Sequence, residues 1–194
     1  MKSSELMISV ILPVKNGSLT LLKRALSSIK AQSHKKYEIL IVDDGSRKDF
    51  SKKLDMLVKN EEQIHLFHIK SSGVSFARNY AVLKASGDII TYLDADDVIS
   101  PFCFEEAVSF FNDRETDAVW GGTYYGSKSE IDKRLKIQDG KAKTYEALKD
   151  LSVKLSSERI HKTRSECIGE PFRFEDNGYI NRGIAARFIR KSVF

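Results

Sequence analysis

Through residue 120, short apolar runs rich in β-branched residues alternate with segments of helical periodicity. That alternation predicts βαβ units around a mainly parallel sheet. Ile8 to Val14 reads as the first strand, closed by Pro13 and the turn pair Asn16-Gly17. Ser18 can cap the next helix, whose Leu22, Leu26 and Ile29 recur at i, i+4 and i+7 and form one apolar face. Tyr37 to Val42 is a continuous apolar run suited to burial on both faces, and it stops at Asp43-Asp44-Gly45-Ser46. A helix from Ser51 to about Lys59 turns Leu54, Leu57 and Val58 inward. Ile64 to Ile69 follows as a strand with His65 and His68 on opposite faces, and Ser71-Ser72-Gly73 as a turn. The helix from Val74 to Ala85 meets Gly87, where a left-handed cap is expected. Asp88 to Leu93 then runs into Asp94-Ala95-Asp96-Asp97, Pro101 opens a helix to Asn112, and Asp117 to Trp120 is a short fifth strand.

Beyond Gly121-Gly122 the pattern weakens. Tyr124 and Tyr125 can prolong a strand, and Tyr145 to Leu155 reads as helical, while residues 156–178 are polar and mixed. Residues 1–125 therefore stand as an α/β half and 126–194 as a further region of the same domain. The 194 residues suffice for one buried core, and 41% hydrophobic with 30% charged residues excludes disordered and collagen-like classes. No apolar run approaches the roughly 20 residues a membrane span needs, and MKSSELMISV carries no secretory signal.

Cys103 and Cys167 are far apart and read as reduced thiols of a cytoplasmic protein. The four histidines lack a metal-ligand spacing. The net charge of +5 collects its excess after residue 127. That excess forms a solvated surface, or one that meets an anionic membrane or acceptor. No nucleic-acid motif accompanies it.

The chemistry concentrates where two strands end in acids. In an open parallel sheet, ligands bind outside the carboxyl ends of the strands, near the point where strand order reverses. Asp94 and Asp96 point the same way if the chain stays extended. Two such carboxylates suit a hard divalent cation, Mn2+ or Mg2+, which takes its other ligands from water and phosphate. The plainer alternative is a polar strand-end turn. Asp43 or Asp44 can accept from a base N–H or a ribose hydroxyl, or can simply belong to a turn with glycine at positive φ. Arg78 either clamps a phosphate or forms a structural ion pair.

Four strings, ISVILPVKNGS, YEILIVDDGS, GVSFARNYAVLKASGD and ITYLDADD, occur in order over residues 8–97. In this the chain resembles the family-2 glycosyltransferases, whose fold is the Rossmann-like GT-A fold, a mainly parallel central sheet flanked by helices. The resemblance implies a nucleotide pocket of Pro13, Val14 and Asn16, with Asp44 on the base and Asp43 beside it. Asp94 would touch ribose or metal, Asp96 would ligate the metal, and Arg78 would support the acidic edge. It further implies transfer with inversion from a nucleotide-diphosphate sugar, commonly a UDP-sugar, to a saccharide or lipid-linked acceptor. Such an acceptor allows peripheral contact with the inner face of the membrane, and residues 126–194 would begin the acceptor side.

Inversion needs a general base. In the family it is the Asp of a Glu-Asp pair, usually following a segment like Arg187–Ser192. The expectation is a truncated chain whose base lies beyond Phe194, with Asp176 of Glu175-Asp176 as the competing candidate. Three rivals stand beside this reading. The string Asp94–Val98 also fits the nucleophile motif of haloacid-dehalogenase phosphatases, though later acid pairs are missing. Paired strand-end acids fit a response-regulator module poorly. A non-catalytic nucleotide-binding or interaction protein on a decayed glycosyltransferase fold is the third.

Overall fold

The computed structural model describes residues 6–111, 116–120, 137–138, 141–142, 160–163 and 187–194. The regular elements begin with β1 (Ile8–Val14), α1 (Leu19–Lys30), β2 (Tyr37–Asp44), α2 (Lys48–Val58), β3 (Ile64–Ile69) and α3 (Val74–Lys84). They continue with β4 (Ile89–Tyr92), α4 (Cys103–Phe110) and β5 (Thr116–Trp120). A two-residue ribbon of β6 (Ile137–Gln138) and β7 (Lys141–Ala142), then β8 (Ile160–Thr163) and β9 (Arg187–Arg190), complete the described elements.

The main sheet has the order β3-β2-β1-β4-β9-β5-β8. Its first four strands are parallel, in the register Ile8 with Tyr37, Ile8 with Ile89 and Ile39 with Ile64. β9 lies antiparallel between β4 and β5, and β8 pairs antiparallel with β5. The chain thus builds outward from β1 through β2 to β3, then crosses back to place β4 on the other side of β1. The reversal puts a crevice at the carboxyl ends of β1 and β4.

Burial explains why β1 and β2 read as unbroken apolar runs: every residue of β2 and nearly every residue of β1 is buried. Alternate side chains feed two cores. Val10, Leu12, Ile39 and Ile41 meet Leu22, Leu26 and Ile29 of α1, Phe50 and Leu54 of α2, and Phe104 of α4. Ile11, Leu40, Val42 and Ile90 meet Ala77, Ala81 and Ala85 along α3. The three alanines recur every fourth residue and so keep one small-residue stripe against the sheet. Phe104 joins Tyr37 and Phe188 by edge-to-face contacts at 5.7 and 6.0 Å, tying β9 to the first core. Ser18 caps α1 as expected, its hydroxyl accepting from the Leu21 N–H.

Several boundaries differ from the sequence reading. β2 runs on through Asp43 and Asp44, because both pair in register with β3. α2 starts at Lys48 rather than Ser51, and α4 at Cys103, with Pro101 in the turn before it. Gly87 is not a left-handed cap; among the described residues the glycines at positive φ are Gly45 and Gly73. Glycine is required at 87 for a different reason. A Cβ there would stand 2.6 Å from Ser9 Oγ and 2.8 Å from Met7 O, where the chain passes β1. The Gly87 N–H donates to Ser9 Oγ and to the buried Glu38 carboxylate. Tyr124, Tyr125, the expected helix at Tyr145–Leu155 and Cys167 lie outside the described residues, whereas Cys103 is half-buried.

Candidate functional site

A cavity of about 470 Å³ opens at the predicted crevice. Pro13, Val14, Lys15, Gly17 and Ser18 line it from the exit of β1, and Leu21, Leu22 and Phe50 from the neighbouring helices. Val74 and Arg78 of α3 and the Asp94-Ala95-Asp96 edge close it. Its walls are mostly apolar with a few convergent polar groups, the composition of a small-molecule site.

The two acids ending β2 do different work. Asp43 is fully buried and accepts from the Ser46 N–H (3.0 Å), Ser51 Oγ (2.6 Å) and His68 Nδ1 (2.8 Å). Burial opposes its charge, but these donors outweigh it and hold the carboxyl below the usual range. Asp43 does not line the cavity; it anchors the turn into α2. Asp44 is also buried and accepts from the N–H groups of Ser72 (2.6 Å) and Gly73 (3.1 Å) and, at 3.4 Å, from Lys15 Nζ. Burial again works against ionisation, and the backbone donors and Lys15 lower the carboxyl's pKa despite it. Gly45, at φ 67°, lets the β2 exit pass this turn, since a Cβ there would lie 2.5 Å from Ser71 N.

Asn16 is a latch rather than a wall. At φ 48° its N–H donates to Ser46 Oγ (2.9 Å) and its side-chain oxygen accepts from Arg47 N–H (2.8 Å), so the β1 and β2 exits are tied together. It does not line the cavity, in contrast to Pro13 and Val14.

On the opposite wall Arg78 Nη2 donates to Asp94 Oδ1 at 2.6 Å, and its guanidinium lies 5.9 Å from the Tyr92 ring centroid. Arg78 Nε is buried without a partner among the described residues. The acidic edge is not extended, as the alternation argument supposed. β4 ends at Tyr92, and Asp97 N–H bonds back to Asp94 O at 3.0 Å, closing a turn. Asp94 and Asp96 nevertheless both border the cavity. Asp97 is the acid the sequence reading passed over. Partial desolvation, then the like charges of Asp96 and Asp94, raise its carboxyl above the ordinary range although the residue is exposed.

Among the described residues, no group of three or more histidine, cysteine or acidic side chains is arranged to hold a metal ion. Mn2+ or Mg2+ does not require one, because one or two carboxylates suffice beside water and phosphate. Asp94 and Asp96 border the cavity, Asp94 gives only one oxygen to Arg78, and the remaining carboxylate oxygens fit a divalent cation. Sequence reasoning also missed Lys15, although it lies within the quoted string PVKN. A cation one residue past a strand end that faces two strand-end acids was the available signal.

Comparison with known proteins decides the family. The model described as Glycosyl transferase family 2 matches residues 9–187. The chain belongs to glycosyl transferase family 2. Among its relatives, an uncharacterized glycosyltransferase of Rickettsia felis is 36% identical over 123 residues, covering 63% of this chain and 20% of its own length. A second, from Nostoc sp., is 33% identical over 141 residues, covering 71% of this chain and 39% of its own. The chain thus spans between a fifth and two fifths of these relatives. Residues 1–349 of S. aureus TarS superpose with a TM-score of 0.52 at 26% identity, over 58% of this chain and 34% of that one. TarS has also been solved with UDP-GlcNAc. A mannosyltransferase from Pyrobaculum calidifontis, in complex with GDP-Man and Mn2+, shares the fold (TM-score 0.51, 24% identity, 57% of this chain and 34% of that one).

Proposed function

We propose that this chain binds the donor of an inverting, divalent-metal-dependent glycosyltransferase, with a UDP-sugar as donor and a saccharide or lipid-linked hydroxyl as acceptor. The observation that carries the reading is the switch-point cavity, with the Asp94–Asp96 edge and Arg78 on one wall and Lys15, paired with the buried Asp44 behind it, on the other. The UDP-GlcNAc complex of TarS, at 26% identity, supports the choice of donor. In this reading Asp44 accepts from the base, while the apolar side chains of Leu21, Leu22 and Phe50 shield the nucleoside from water. Asp94 and Asp96 hold the cation, which when bound supplies positive charge to the diphosphate. Arg78 fixes Asp94 and keeps the acidic edge in register. The acceptor oxygen bonds to the anomeric carbon as the bond from that carbon to the diphosphate oxygen breaks. A base takes the hydroxyl proton; Asp176 lies outside the described residues. With a lipid-linked acceptor the reaction sits at the inner face of the membrane, and no described helix is long and apolar enough to cross it.

Calorimetric titration of UDP, with and without Mn2+, tests this against Asp96→Ala. Binding that needs Mn2+ and is lost in the variant is the expected result. A folded wild type that binds no nucleotide under any metal condition would overturn the donor-site reading and favour a non-catalytic fold.

A further inference from the structure

The acidic edge is a short span held at both ends. Before it, the Leu93 N–H donates to Ile11 O of β1 at 3.0 Å, and the Leu93 side chain is buried in the first core. After it, the N–H of Ile99, also buried in that core, donates to Ser28 Oγ at 3.2 Å. Residues 94–98 lie between these two anchors, with the Asp97 N–H closed onto Asp94 O. So short a span has few ways to bridge two fixed points. Where Asp96 stands therefore depends on where Ile99 is held.

The second anchor is polar and comes from the end of α1. The Ser28 hydroxyl is buried and donates to Ala25 O at 2.7 Å, which turns its lone pairs to the Ile99 N–H. Gln32, just past the helix, is completely buried. Its Nε2 donates to Ser28 O at 3.0 Å and to Ser100 O at 2.7 Å, while its Oε1 accepts from the Phe104 N–H at 3.0 Å. The Ser33 N–H adds a bond to Pro101 O at 2.8 Å. The Phe104 N–H belongs to the first turn of α4, whose donors have no partner within the helix. Phe102, at the N-cap of α4, has no side-chain oxygen to offer, so Gln32 supplies it from across the fold. An apolar residue of similar size would fill the same space. Only a side chain with both donors and an acceptor also fixes the register of residues 99–104 against α1. The first turns of that helix line the cavity through Leu21 and Leu22, so one helix sets both a cavity wall and the far anchor of the acidic edge.

We propose that Gln32, together with Ser28, is a positioning residue for the cation site. It acts on Asp96 through residues 97–104 and touches no ligand itself. This rests on the donor-site reading above.

UDP is titrated calorimetrically at a series of fixed Mn2+ concentrations into wild type, Gln32→Met, Ser28→Ala and Ile64→Ala. The series gives the Mn2+ level for half-maximal effect and, separately, the UDP affinity at saturating Mn2+. Gln32→Met should raise the half-maximal Mn2+ roughly tenfold, the lower end of the cost of losing a group that orients metal ligands, and change UDP affinity at saturating Mn2+ by less than about threefold. Ser28→Ala, which removes one neutral hydrogen bond, should raise the half-maximal Mn2+ about threefold. Ile64→Ala opens the core at the end of β3 remote from the cavity. It should lower Tm but leave the half-maximal Mn2+ within about twofold of wild type. A Mn2+ shift in Ile64→Ala as large as that in Gln32→Met would overturn the proposal in favour of a general loss of stability. Equal weakening of Mn2+ and UDP in Gln32→Met would overturn it in favour of a support for the whole cavity. If Gln32→Met does not fold, Ser28→Ala decides, and a wild-type Mn2+ dependence there overturns the proposal. A folded wild type that binds no UDP at any Mn2+ level would overturn the donor-site reading itself, which separates that failure from the others.

Discussion

Replacing Asp44 by Asn is the sharpest probe of how the pocket is held. The carboxylate gathers the turn Ser71–Gly73 and so fixes the start of α3, the helix that carries Arg78. An amide keeps one acceptor and turns the other oxygen into a donor. With its oxygen toward Ser72 N–H, the amide presents its NH2 to Lys15 and crowds Gly73 N–H; flipped, it confronts Ser72 at the shortest contact, 2.6 Å. Asp44 is nearly shielded from water, so the loss is not relieved by solvent. One hydrogen bond to a charged group is lost, with an expected cost of about 2 kcal/mol. For a chain of this size that lowers Tm by roughly 4–8 °C.

The pH dependence has a definite sign. Asp44 has a folded pKa below its unfolded value, so its contribution is complete above the unfolded pKa of about 3.9 and is lost as pH falls through the folded value. Urea unfolding at pH 7, repeated in steps down to the acid transition, measures both effects. Asp44→Asn should unfold at lower urea at pH 7 and show a shallower loss of stability into acid. A variant with the wild-type midpoint and acid transition would refute the idea that this carboxylate organises the α3 turn.

Two further outcomes follow from contacts elsewhere. His68 donates to Asp43 through Nδ1 (2.8 Å) and to Asp55 through Nε2 (3.1 Å); burial disfavours its charge, but those bonds outweigh it and raise its pKa above 6.5. Its contribution is therefore full below pH 6.5 and lost as pH rises through the folded value. The unfolding midpoint should fall between pH 6 and pH 8, as those bounds are roughly set by the histidine range, and His68→Gln should flatten that slope. Gly87→Ala forces a Cβ against Ser9 and Met7 and strains the bonds to Glu38, which should cost about 2–4 kcal/mol in chemical denaturation. Gly17→Ala meets nothing within 4 Å and should leave stability within about 1 kcal/mol of wild type. Similar losses in both variants would show that close approach at β1 is not what requires Gly87.

How much of this was legible in the sequence depends on the range of the contact that decides each feature. β1 through β4 were legible because a strand buried on both faces must be apolar along its length, a local constraint. The ends of β2 and β4 were legible only to within a residue or two, because β2 continues through buried Asp43 and Asp44, whose donors on Ser51, His68, Ser72 and Gly73 offset the cost of burying them. Gly87 was misread because its requirement comes from Ser9 and Met7, far back in the chain, while its neighbours alone resemble a helix cap. The place of β9 between β4 and β5 was likewise out of reach, since pairing Arg190 with Ile89 closes a long loop that no local pattern announces.

The site shows the same division in finer grain. The sequence counts carboxylates, but function depends on which of their lone pairs remain open. Asp43 accepts from Ser46, Ser51 and His68, and Asp44 from Ser72, Gly73 and Lys15. Asp94 gives one oxygen to Arg78, and Asp96 has no hydrogen-bond or ion-pair partner among the described residues. Open coordination therefore increases across the cavity from the β2 side to the turn after β4. A string such as DDGS or DADD cannot reveal that gradient, because every donor that fills Asp43 or Asp44 beyond its own turn comes from another element. A cation is consequently directed to the Asp94–Asp96 edge by open coordination as well as by charge, for the acids ending β2 are buried and already engaged by donors of the fold.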